Sequence, residues 1–222
     1  VGTVFENLVG VVNLFLKEND KFIDEEEYVY DNFFEGTAEF IDEASADAKW
    51  SLGQSSASLV PENWEEYDLF CGGFISEQNL FTKEVREILD DMKVRVIALN
   101  DGSGRGTAVF ATIDSIGVSN GDIRHIRGLL QEFAVANNIN SINLFATHTH
   151  SGIDTQGLWT DIFRKWPKNI FSALTGIIET EQGTDPEYME FFYSAVCGAI
   201  TEAVDSMTEG SMTFARKDIG EK

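Results

Sequence analysis

Alternation of apolar and polar positions is clearest over Lys93–Leu99 (KVRVIAL), and a second β-branched run follows at Thr107–Ile113 (TAVFATI). Both predict strands. The second run is apolar on both faces, as expected of a strand covered on two sides. Between them lie Gly102, Gly104 and Gly106, which match neither GxGxxG nor GxxxxGK(S/T), and no helical pattern follows. The joint is therefore a hairpin turn in which Asp-Gly supplies positive φ, not a phosphate loop.

A period of three to four residues begins after Ser119, where Ser-Asn-Gly-Asp places a capping hydroxyl three residues before Asp122. Ile123, Ile126, Leu129, Leu130 and Phe133 form the expected buried stripe, and the helix frays at Asn137 and Asn138. Ser141–Thr147 (SINLFAT) reads as the next strand. Strand, helix and strand in this order make a crossover, so at least one strand pair is parallel. Further elements are a helix over Thr82–Asp91, a tight turn at Gly72 and Gly73 within Tyr67–Ile75, and an irregular stretch over Ser151–Gly157. The aromatic segment Leu158–Ile178 is interrupted by Pro167. A long helix is capped by Asp185 with Pro186 at its first position and runs to about Met207, and Ser211–Ala215 reads as one more strand.

Ahead of all this, Asp20–Phe34 and Glu35–Ala48 are rich in Glu, Asp, Ala and Phe. Apolar residues recur there at Phe22, Ile23, Tyr28, Phe33 and Phe34, as in acidic helices with one apolar stripe. The expected fold class is α/β: a mixed β-sheet with at least one parallel crossover, flanked by helices. An acidic helical N-terminal extension (1–48) precedes the α/β domain (49–222).

With 222 residues, 43% of them apolar, the chain can bury a real core. Charge sharpens the picture. The net charge is −22, and residues 1–66 hold 16 acidic against 3 basic side chains, a surplus of 13. A polyanion would be repelled, so nucleic acid is excluded as an expected ligand. Val1–Leu16 is apolar but lacks a basic flank and is too short to span a bilayer, so no signal or transmembrane segment is expected within the chain. Cys71 and Cys197 can make at most one disulfide and form no CxxC pair.

Three histidines occur, and two stand in Ala146-Thr147-His148-Thr149-His150-Ser151-Gly152. In a strand, alternate side chains share a face, which would point His148 and His150 the same way with Cα atoms roughly 6.5 to 7 Å apart. That spacing suits a metal site, and the carboxyl end of a core strand is where α/β sheets place their chemistry. Two histidines hydrogen-bonded in a polar strand end are the other reading. His125, among charged neighbours, reads as part of a solvated helix face. Ser151, His150 and Asp154 are the residue types of a nucleophilic triad, but neighbours so close in sequence rarely reach its geometry, and there is no GxSxG elbow. Trp159, Phe163, Trp166 and Phe171 have the spacing of a core-facing helix and, alternatively, of an acyl-chain cleft.

The run FATHTHSGIDTQG resembles the THTHSG signature of the neutral/alkaline, non-lysosomal ceramidases, zinc amidases that cleave the N-acyl bond of ceramide. Upstream, Gly53, Ala57 and Pro61 in LGQSSASLVP match that family's G-x-x-x-A-D-I-T-P element, with Ser58, Leu59 and Val60 replacing its Asp, Ile and Thr. KVRVIAL and TAVFATIDSIG resemble its R-A-x-V hairpin, which ends in an Asp before Ile-Gly and so places Asp114 at the mouth of the site. The similarity covers about residues 50–215.

The resemblance implies that His148 is a zinc ligand and that His150 contacts the reacting carbonyl or stabilises the tetrahedral intermediate. Apart from the resemblance, Asp114 is a candidate acceptor for an imidazole N–H, fixing its tautomer, with a structural Asp at a strand end as the other reading. A lipid amide such as ceramide is the implied substrate, and an extracellular or membrane-anchored location is implied as well. The family takes its other ligands, a His, a Glu and a Tyr, from well downstream, and no His follows His150. Its Asn-Arg-Ser-Pro element would lie beyond Lys222. The expectation is thus a partial catalytic domain, incomplete at its C-terminus and weakly active or inactive alone, completed by another polypeptide or by a homo-oligomer. The alternative is a non-catalytic lipid- or protein-binding derivative of the same scaffold.

Overall fold

The computed structural model describes residues 46–74, 83–160, 167, 183–217 and 220. The expected acidic extension falls almost wholly outside these residues. So do Phe163, Trp166 and Phe171.

Five strands form one sheet: β1 (Trp50–Ser58), β2 (Lys93–Asn100), β3 (Thr107–Ile113), β4 (Ile139–Ala146) and β5 (Thr208–Gly210), in spatial order β4-β3-β2-β1-β5. β2 and β3 are the expected antiparallel hairpin, with Ile97 opposite Phe110, and β3 and β4 are the expected parallel pair. The crossover between them carries α1 (Asn120–Leu129) and α2 (Gln131–Ala136). Ser119 and Asp122 close the reciprocal capping box that their spacing predicts. The long helix α3 (Pro186–Asp205) has Asp185 accepting from the backbone N–H groups of Glu187 and Tyr188.

These helices cover one face of the sheet. Val94, Val96, Ala98, Val109, Ala111, Ile113 and Ile142 point into a core shared with Ile126, Leu130, Tyr188, Phe192, Val196 and Ile200. Gly53 explains how closely α3 sits on β1. A Cβ there would lie 1.8 Å from the carbonyl oxygen of Ala203, so only glycine admits the helix backbone. Ser55 donates to the carbonyl of Ala199 at the same contact.

Several expectations are corrected. Thr82–Asp91 is not helical over its described part. Cys71 N donates to Lys83 O and Val85 N to Leu69 O, so the backbone pairs with the 69–71 segment, and Leu89 is left exposed. β3 is covered on one side only among the described residues: Phe110 is exposed and stacks on Phe145. In the crossover helices Ile126 and Leu130 are buried as expected, but Leu129 is exposed and Ala134, four residues after Leu130, continues the buried line in its place. The last strand lies at Thr208–Gly210, where it pairs with Trp50–Leu52, and not at Ser211–Ala215. Both cysteines are free thiols, and burial pushes that of Cys197 up to about 11.

Candidate functional site

Three segments meet at the carboxyl ends of the parallel strands. Thr147 N makes a last strand-like bond to Ile113 O, and the chain then turns at His148, whose φ is +60°. A non-glycine residue in the left-handed region is uncommon and worth a physical explanation. Here it ends the strand one residue after β4. The two histidines are consequently not alternate residues of a strand. They meet edge to face across the turn, with ring centroids 4.8 Å apart and planes at 80°.

The partners of the rings differ. His148 Nδ1 lies 2.7 Å from the carbonyl oxygen of Ile116. A carbonyl only accepts, so Nδ1 carries the proton and the neutral ring keeps its lone pair on Nε2. Among the described residues His150 Nδ1 is buried without a hydrogen-bond partner, and Phe74 packs on this ring with centroids 4.2 Å apart. Asp114, expected to accept from an imidazole, instead accepts from Arg95 at 2.7 Å and from the backbone N–H of Lys93 at 3.1 Å. The acceptor that His148 meets is the Ile116 carbonyl, two residues further on.

The loop after the histidines is fixed by a buried carboxylate. Asp154 Oδ1 accepts from the N–H groups of Gln156 (2.8 Å) and Gly157 (3.1 Å), and Oδ2 from that of Trp159 (2.9 Å). Those bonds occupy both oxygens, so Asp154 organises the loop and is not the acid of a Ser151–His150–Asp154 triad. Its charge, after burial, also holds the Tyr188 hydroxyl above its ordinary value. Thr155 Oγ1 donates to Gly117 O at 2.6 Å, tying the loop to the turn that carries Ile116.

The third segment is Phe70–Phe74, which runs antiparallel to the histidine loop. Asp154 N donates to Phe70 O, Gly72 N donates to Gly152 O, and Cys71 bridges Ile153. Gly73 has φ +132°, and a Cβ there would stand 2.5 Å from the carbonyl oxygen of His150. The indole N–H of Trp159 donates to Gly73 O. A cavity of about 610 Å³ adjoins the loop, lined by Thr149, Ser151 and Asp114 but by neither histidine.

His148, His150 and Asp114 thus lie at one end of the sheet, while His125 lies exposed on α1, edge to face with Tyr193. Among the described residues no group of three or more His, Cys, Asp or Glu is placed to hold a metal ion. Sequence reasoning missed Ile116, Phe74 and the indole of Trp159. Ile116 acts through its backbone, which no side-chain pattern reveals. The pairing of Gly73 with His150 had a signal only in the double glycine.

No protein-family model and no curated protein sequence matches the chain. Among solved structures it is similar to a ceramidase complexed with C2, with a TM-score of 0.49 and 14% identity over 74% of this chain and 22% of that one. It is also similar to neutral ceramidase from Pseudomonas aeruginosa, with a TM-score of 0.48 and 14% identity over 74% of this chain and 23% of that one. The chain therefore spans under a quarter of the length of either.

Proposed function

We propose that the chain is part of a ceramidase-like zinc amide hydrolase, in which His148 binds the metal and His150 faces the reacting carbonyl of a lipid amide. The observation that carries this reading is the orientation of His148. With Nδ1 held by the Ile116 carbonyl, Nε2 is the nitrogen left to donate a lone pair, the arrangement that ligating histidines adopt. The donors present fit one edge of a zinc site and fall short of the three protein ligands that catalytic zinc takes, so the others must come from outside the described residues. Zinc, when bound, lowers the pKa of its water to about 7 and polarises a carbonyl.

The remaining roles belong to the chain's own residues. A hydrogen bond between His150 Nδ1, buried and unpartnered, and the oxygen of a tetrahedral intermediate would satisfy an atom that is otherwise costly to bury. Asp114 acts on His148 indirectly: its bonds to Arg95 and Lys93 fix the start of the turn whose Ile116 carbonyl holds the imidazole. The exposed Phe74 and Leu158 near this loop offer apolar surface to a hydrocarbon substituent.

Metal content is the direct test. The full chain is expected to retain zinc after dialysis and to lose it in His148→Ala, whereas equal zinc in both, or none in either, would remove the metal assignment. The shortage of donors also favours a second reading, a non-catalytic lipid- or protein-binding derivative. Chelator-sensitive hydrolysis of a micellar ceramide by the full chain would eliminate it.

A further inference from the structure

We infer that Trp159 is a positioning residue for His150, acting through the backbone of Gly73. This rests on the reading of His150 as the group beside the reacting carbonyl. The indole of Trp159 is half-buried and its N–H donates to the carbonyl of Gly73. Gly73 in turn presses on His150, since a Cβ on it would fall 2.5 Å from the His150 carbonyl oxygen and 2.9 Å from the His150 Cβ. No side chain fits between them, so the position of residue 73 sets that of residue 150 directly.

Both ends of this contact are anchored. On one side, Trp159 N donates to the buried Asp154 carboxylate at 2.9 Å, which fixes where the indole stands. On the other, Gly72 N donates to Gly152 O at 2.8 Å, which aligns the 72–74 turn with the histidine loop. The indole bond then holds the turn closed over His150, with Phe74 against its ring at 4.2 Å. The need for such a clamp follows from the ring itself: among the described residues His150 Nδ1 has no hydrogen bond to orient it, so backbone placement and packing do so.

Three histidines in the chain make the test direct, because His125 on α1 serves as an internal control. Long-range ¹H–¹⁵N spectra of the full chain, recorded without zinc or substrate, read each imidazole. Trp159 is replaced by β-(3-benzothienyl)alanine, which keeps the ring shape but has no N–H. The expected result is a shift of the His150 pattern, with His148 following through their ring contact and His125 unmoved. 7-Azatryptophan, which keeps the N–H, is expected to restore the wild-type pattern. Unchanged His150 signals in the benzothienyl variant overturn the proposal, and so does a displacement of all three histidines, which would mean general loss of structure. Since neither zinc nor activity enters the measurement, its failure is distinct from a failure of the His148 zinc assay.

Discussion

The two glycine-rich loops at opposite ends of the β2–β3 pair differ in how far their polar groups reach for partners. Asn100–Gly106 does so mainly with itself. Gly102 N donates to Asn100 Oδ1, Ser103 N to Asp101 Oδ1, and Arg105 bonds Ser103 and pairs with Asp101. At the other end Asp154 bonds its near neighbours, as in the hairpin, but partners distant in sequence join three segments as well: Ile116 for His148, Gly152 for Gly72, Gly73 for Trp159. Among the described residues that loop also keeps a buried ring nitrogen unpaired. Glycine content is common to both, so it does not mark a site. What marks it is a polar framework assembled from several segments that, among the described residues, still leaves His150 Nδ1 and Thr160 Oγ1 buried without a partner.

The sharpest way to break this comparison is Asp154→Ala. Three partly buried backbone N–H groups lose a charged acceptor at once, and the expected loss of stability is about 2 to 3 kcal/mol. Urea denaturation measures it, and Trp159 fluorescence should change in the native baseline because its own N–H is one of the three. A loss under about 1 kcal/mol, the size of one ordinary hydrogen bond, would mean that the distant contacts hold the loop without this carboxylate.

How much of this was legible in the sequence depends on whether the determinants are local. The β2–β3 hairpin, the Ser119 capping box and the Asp185–Pro186 helix start were readable because their signals lie within a few residues of each other. Thr82–Asp91 reads as a helix by pattern, and its described part is not one. Val85 and Ile88 have helical spacing, but the backbone there is claimed by Leu69 and Cys71, which pattern alone does not connect to it. The open side of Phe110 was misread because two-sided apolarity states what a strand can bury and not what is present to bury it. At the site, the two histidines were found, and their proximity was expected from a strand geometry that the left-handed His148 does not have. The acceptor for His148 was sought among side chains, and a backbone carbonyl supplies it.

Gly102→Ala probes the self-contained loop. At φ +73° an alanine is strained, and its Cβ would stand 2.6 Å from both the N and the O of Lys49. The expected cost is about 1 to 2 kcal/mol. Because the loop's partners are local, the ¹H–¹⁵N patterns of His148 and His150 should stay at their wild-type positions. Movement of those signals would show that the two ends are coupled through the strands, and the contrast between them would then fail.

The smallest effect concerns the charge inside the same loop. Burial alone would push the Asp101 carboxyl up, but hydrogen bonds from the Ser103 side chain and backbone, together with Arg105, outweigh it and bring the value from 3.8 down to about 2. A carboxyl whose folded value lies below its unfolded one stabilises the fold above pH 3.8, and that contribution is lost as pH falls through about 2. Asp101→Asn keeps an acceptor and removes the titration. The variant should therefore melt slightly below the wild type at pH 5, with the gap narrowing progressively toward pH 2. A gap that stayed constant with pH would assign the loop's stability to its neutral hydrogen bonds. The Asp101–Arg105 pair would then be incidental, and the self-sufficiency of this loop would rest on those neutral bonds alone.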